Sequence, residues 1–258
     1  MLKSLCEVYT YREMVVMLVN RELRGRYKGS FLGFLWTFLN PLLQLAVYTL
    51  VFSVIMKSGI DKYYLFLFVA LIPWIFFSSS ILGGANCIIA QKDLVKKIYF
   101  PRQVLPIAHV TTCFINMLLC FIVVFIVAGF SIGINLIALP YLVPILFVEY
   151  ILALGFALFA AAITVYFRDM EHILAIVVMA WQFMSPVIYS ADIVPDSFKS
   201  IFMANPMTSV IIAYRSILYY KVPPDLTTLL MALLMGTLFL IIGWVVFNRL
   251  QKHFVEEM

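Results

Sequence analysis

The sequence predicts an all-α polytopic membrane protein: six transmembrane helices, an amphipathic interfacial helix ahead of them, and re-entrant helices between spans five and six. Three observations predict it. The 258 residues are 64% hydrophobic and only 12% charged, with a mean hydropathy of +1.04, a composition outside that of soluble domains. Six apolar stretches approach or exceed the roughly 20 residues needed to cross a bilayer: 31–56, 64–90, 104–130, 141–166, 173–189 and 229–247. The long interruption at 191–228 carries Pro195, Pro206, Pro223 and Pro224 but keeps an oily centre at 207–218 that is too short to cross. Such a segment between proline breaks reads as re-entrant or interfacial, because non-helical backbone survives at membrane depth only where protein or water satisfies it.

Taken in order, residues 1–30 form a cytoplasmic interface segment and 31–258 a six-span domain. Within 5–28, Val8, Val15, Val19 and Leu23 fall on one helical face, with Glu13, Arg21 and Arg24 opposite. That pattern fits a helix lying on the membrane, either as a simple positive anchor or as a helix that also touches a cytoplasmic partner. The mixed charge before the first apolar run, and the length of that run, do not fit a cleaved signal peptide. Pro41 and Pro73 favour kinks in spans one and two. Gly83-Gly84 permits either a bend or close helix approach. The loop 91–102 reads as a short helix in which Asp93 pairs with Lys97, and Leu94 with Ile98, at i,i+4 spacing until Pro101 stops it. It is either a solvated basic turn or a docking knob whose apolar pair seats in a partner's groove. The loop 167–172 is very short, and Arg168 and Asp169 form either a second contact or a tight local pair. Placing the N-terminus in the cytoplasm puts 13 of the 18 Lys and Arg on that side. Both termini are therefore expected to be cytoplasmic, and the net charge of +5 reflects topology and anionic lipid rather than nucleic acid.

The spans hold little chemistry. Glu149 is the one acidic residue deep in an apolar stretch, and such a group is either functional or simply protonated and hydrogen-bonded. His109 reads as a hydrogen-bonded packing residue. Cys6, Cys87, Cys113 and Cys120 form no CxxC pair and read as small buried hydrophobes. No phosphate-binding loop, zinc motif or cluster of metal-ligating spacing is present, so no catalytic, cofactor or metal residues are expected on this chain. Among 23 Phe, 14 Tyr and 4 Trp, the within-span Trp36, Trp74, Phe77, Trp181 and Phe183 are either packing residues or an aromatic wall for sugar rings.

Five blocks in register carry a resemblance. Arg26-Tyr27-Lys28-Gly29-Ser30-Phe31-Leu32-Gly33-Phe34-Leu35-Trp36 followed by Asn40-Pro41-Leu42-Leu43 is the first. Phe100-Pro101-Arg102 is the second. Tyr166-Phe167-Arg168-Asp169-Met170-Glu171-His172-Ile173, Ser185-Pro186-Val187-Ile188-Tyr189-Ser190, and Asn205-Pro206-Met207 through Tyr214-Arg215 complete the set. Together they resemble ABC-2-type polysaccharide export permeases. The resemblance implies a homodimeric channel in the bacterial inner membrane, driven by two separate ATP-binding-cassette subunits that hold the ATP and Mg. It further implies a coupling helix around Asp93, Leu94, Lys97 and Ile98, with Arg168 and Asp169 nearby, and an outer gate built around Pro206, Met207, Tyr214 and Arg215. The implied cargo is a lipid-linked polysaccharide, O-antigen first, with teichoic acid, capsule or a drug as alternatives and a membrane-embedded glycosyl- or acyltransferase as a remote one.

Overall fold

The computed structural model describes residues 2–25 and 31–257, and these contain helices and no strand. The N-terminal amphipathic segment is two helices, α1 (Leu2–Thr10) and α2 (Arg12–Gly25), parted at Tyr11 rather than one continuous rod. Leu18 and Val19 bury one face of α2, with Val8, Val15 and Leu23 packed beside them. The motif residues Arg26 to Ser30 lie outside the described residues.

The long helices are α3 (Trp36–Thr49), α4 (Tyr63–Asn86), α6 (Val104–Ser131), α7 (Leu142–Tyr166) and α11 (Leu226–Leu250), with the short α5 (Lys92–Lys97) between α4 and α6. Five segments are long and apolar enough to cross a membrane, which makes the chain a multi-pass membrane protein. In α4, 78% of the most apolar stretch is buried and it forms the centre of the bundle; in the first span the figure is 6%. Pro41 sits inside α3 and removes the amide that would pair with the Thr37 carbonyl. The Cys120 thiol donates to that carbonyl instead, at 3.4 Å. The far end of the first span widens, with the Met56 amide donating to Val51 O five residues back. Gly83 and Gly84 serve close approach: a Cβ at 84 would lie 2.8 Å from Ala157 Cβ, and one at 83 would strike the His109 ring.

The fifth crossing differs from expectation. Its helix, α8 (Met170–Phe183), has 14 residues, about 21 Å at 1.5 Å per residue, short of the roughly 30 Å core. α4 serves as a ruler. Asn86 at one end donates to Glu171 at 3.4 Å, and Tyr63 OH at the other donates to Ile188 O at 2.7 Å. The chain from 170 to 188 therefore runs the full length of α4, the last stretch of it outside any helix. Two helices follow, α9 (Asp196–Met203) and α10 (Pro206–Leu218), bent by 94° at their junction. The Tyr219 OH donates to Asp61 O at 2.5 Å, beside Tyr63, so the hairpin leaves and returns at one end. Its tip at Asn205 reaches Trp181, whose ring meets Phe77 beyond the middle of α4. The hairpin is therefore re-entrant.

Both termini sit at the opposite end. The Ser4 hydroxyl donates to Asn248 at 3.3 Å, and the Gln103 amide donates to Asn248 at 2.6 Å and to Ser4 at 3.0 Å. Arg102 donates to Gln251 O, and a four-residue α12 (Phe254–Glu257) closes the chain.

Candidate functional site

The most elaborate polar construction surrounds the unwound stretch 184–190 between α8 and α9. Ser185-Pro186 interrupts the helix because the proline lacks an amide and disfavours helical backbone before it. The carbonyls so released face into the bundle, where each needs a partner. Arg215, from the last turn of α10, is 3% exposed and serves two of them. Its Nη2 donates to Val187 O at 2.8 Å, Nη1 to Tyr189 O at 3.0 Å, and Nε to Phe66 O at 3.3 Å. Its guanidinium lies 3.5 Å over the Phe66 ring, a cation–π contact strengthened by desolvation. Tyr63 takes Ile188 O, as noted. Three consecutive carbonyls are thus held by two side chains from other elements.

Asn205 fixes the lower edge. It caps α10 by accepting from the Met207 amide at 3.0 Å, with Pro206 in the first helical turn. The same oxygen accepts from Trp181 Nε1 at 2.9 Å, while its amide nitrogen donates to Met184 O at 3.1 Å and Ser185 Oγ at 2.8 Å. Both donors and both lone pairs of this amide are used. Beside it, Trp181, Phe77, Phe156 and Phe239 pack edge-on or stacked, with Trp74 against Phe77.

Glu149 on α7 is fully buried, and its Oε2 accepts from Tyr214 OH at 2.5 Å. The Tyr214 ring stacks on Phe121 at 5.4 Å between centroids. One bond thus joins α7 to the hairpin. Tyr214→Phe should cost about 1–3 kcal/mol by stranding the carboxyl. The double variant Tyr214→Phe/Glu149→Leu should cost less than the sum of the two single changes, as read from thermal unfolding of the detergent-solubilised protein.

Of the residues singled out in the sequence, Pro206, Met207, Tyr214 and Arg215 come together in one buried helix rather than on an open surface. Trp74 and Phe77 lie in the core of the bundle, and Trp181 is tied to Asn205, while Trp36 and Phe183 remain exposed at 37% and 58%. The connecting loop is also rearranged. α5 ends at Lys97 and Ile98 is extended, so Leu94 and Ile98 do not form one helical face. Leu94 and Val95 turn inward, and the outward apolar pair is Ile98 and Tyr99, at 54% and 91% exposed. Asp93 and Lys97 are exposed, and Arg168 and Asp169 are exposed on the same end of the bundle.

Sequence reasoning passed over Glu22, whose Oε1 lies 2.8 Å from His109 Nδ1 while His109 Nε2 lies 3.2 Å from Ser79 O. This clamp fastens α2 to α6 and α4. Tyr63 was passed over as a donor too, since nothing local announces that its hydroxyl serves residue 188.

The chain matches the family model described as ABC-2 type transporter over residues 13–219. It is 38% identical to the O-antigen export system permease protein RfbA of Myxococcus xanthus, over the whole of both chains. It is 31% identical to the protein of the same name from Klebsiella pneumoniae, over 95% of this chain and 94% of that one. A multi-pass helical bundle with this motif order and this end-to-end similarity belongs to the ABC-2 type transporter family, as a polysaccharide export permease.

Proposed function

We propose that the chain is the membrane subunit of an ATP-driven exporter that carries lipid-linked O-antigen polysaccharide from the cytoplasm to the outer face of the inner membrane. One observation carries the reading: the end-to-end similarity to O-antigen export permeases from two organisms. Two copies pair, and the energy comes from two separate ATPase subunits that hold ATP and Mg. The bare flank supports pairing. The first span and α8 expose Leu43, Val47, Leu50, Val54, Ile176, Met179 and Phe183, surface that either lipid or a two-fold partner covers. In this reading the termini are cytoplasmic and the α9–α10 hairpin closes the outer end.

The test is complementation. A strain lacking its own O-antigen permease but retaining the cognate ATPase should regain surface polysaccharide with this chain. Failure to do so, together with drug-stimulated ATPase activity of the reconstituted pair, would favour the drug-efflux alternative. The purified chain alone should not turn over ATP.

The connecting loop supplies a second expected result. Ile98→Asp and Tyr99→Asp should each lower polymer export and polymer-stimulated ATP hydrolysis by at least about tenfold, as hot-spot truncations do, with insertion and melting unchanged. Leu94→Asp and Val95→Asp should instead destabilise the bundle, because those side chains face inward. Normal coupling in the Ile98 and Tyr99 variants would remove this loop from the ATPase interface.

A further inference from the structure

A cavity of about 330 Å³ lies between α3, α4 and α6, in the wall of a single protomer and apart from the hairpin. Its size falls at the lower end of the roughly 300–1,000 Å³ typical of small-molecule sites. Trp36, Thr37, Asn40, Ser79 and Asn116 bring polar groups to the border of this space. No Lys, Arg, Asp, Glu or His is among the described residues that line it.

The chemistry narrows the ligand. The described lining has no cation to neutralise a phosphate and no carboxylate to pair with an ammonium. Two side-chain amides and two hydroxyls match groups that both donate and accept, which is the character of a sugar hydroxyl. The Trp36 indole offers a negative ring face to the slightly positive C–H side of a sugar ring. From this convergence of neutral donors, acceptors and one aromatic ring, we infer that the cavity binds a neutral sugar unit, holding a residue of the polymer against the protomer wall. The inference rests on the reading of the cargo as polysaccharide.

The experiment uses the full-length chain in lipid nanodiscs and saturation-transfer NMR with neutral disaccharides of mannose, galactose, glucose and rhamnose. At least one should bind saturably. Asn40→Leu and Asn116→Leu should each weaken that binding at least tenfold. Gln44→Leu, an exposed change on α3 outside the cavity lining, should leave it unaltered. Asn40 is itself exposed, so its variant is expected to fold even if Asn116→Leu does not, and melting curves check both. No saturable binding by the parent chain, or equal binding by a folded Asn40→Leu variant, overturns the inference. If the parent chain restores surface polysaccharide yet binds no sugar, the cavity assignment fails while the export reading stands. If it binds sugar through Asn40 but restores no polysaccharide, the export reading fails alone.

Discussion

Arg215→Met is expected to yield a chain that inserts but cannot hold its hairpin, with a melting temperature lowered by roughly 10 °C or more. The argument is one of stranded acceptors. The substitution leaves Val187 O and Tyr189 O without their donors beside a buried side chain, while Phe66 O keeps its partner within α4. Each buried polar group left unpaired costs about 1–3 kcal/mol, and a chain of this size loses about 2–4 °C per kcal/mol. The cation–π contact with Phe66 is lost as well. Arg215→Lys should fall between parent and Met, since an ammonium cannot present the planar fork that reaches separate carbonyls at once. Differential scanning fluorimetry in detergent, together with limited proteolysis between α8 and α11, would read both variants. Unchanged melting of Arg215→Met would show that water or lipid headgroups satisfy the 184–190 stretch instead.

The second large effect concerns the seam between α7 and α11. A Cβ on Gly155 would stand 2.6 Å from Phe239 O and Leu240 N, and one on Gly243 would strike Gly155 O. The obstacles are backbone atoms, so a rotamer change cannot relieve them, and the helices must separate. In the membrane, helix association depends on such close packing because lipid supplies little hydrophobic contrast. Gly155→Ala and Gly243→Ala should each cost about 1–3 kcal/mol, in the range of overpacked cores, and the Phe156–Phe239 stack at 4.3 Å should open with them. Gly236→Ala is the internal comparison: its Cβ would lie 3.2 Å from Val148 O, so a smaller shift accommodates it. Melting temperatures ranked with Gly236→Ala lowest would contradict the seam as described.

Much of the architecture was legible because the signals are local. Long apolar runs mark spans, and Asn205-Pro206 announces a capped helix start that the structure places at the hairpin tip. What escaped was the direction in which each apolar face looks. Ile98 and Leu94 are equally hydrophobic, yet one points outward and the other inward. Trp74 and Trp36 read alike in sequence, but one is core and the other surface. In a membrane chain the lipid-facing and protein-facing sides have similar composition, so periodicity cannot separate them as it does in a soluble helix. Arg215 shows the same limit for charge. Counted with the basic residues of one membrane face, it is a topology signal; in the fold it is an internal strut. Glu149 had no visible partner because Tyr214 lies 65 positions away.

The partners of the re-entrant hairpin share a property that bears on how the protein is made. Asn205 bonds to residues 181, 184 and 185, Tyr214 to 149, and Arg215 to 66, 187 and 189. Every one of them precedes the hairpin in the chain. During synthesis, the elements that receive α9 and α10 have therefore already emerged when the hairpin arrives, and its polar groups need not wait for a later segment. The groups that wait are the earlier ones, Glu149 for Tyr214 and the 187 and 189 carbonyls for Arg215, so these sites are completed only when α10 arrives, and α11 then closes against α7 through the glycine seam.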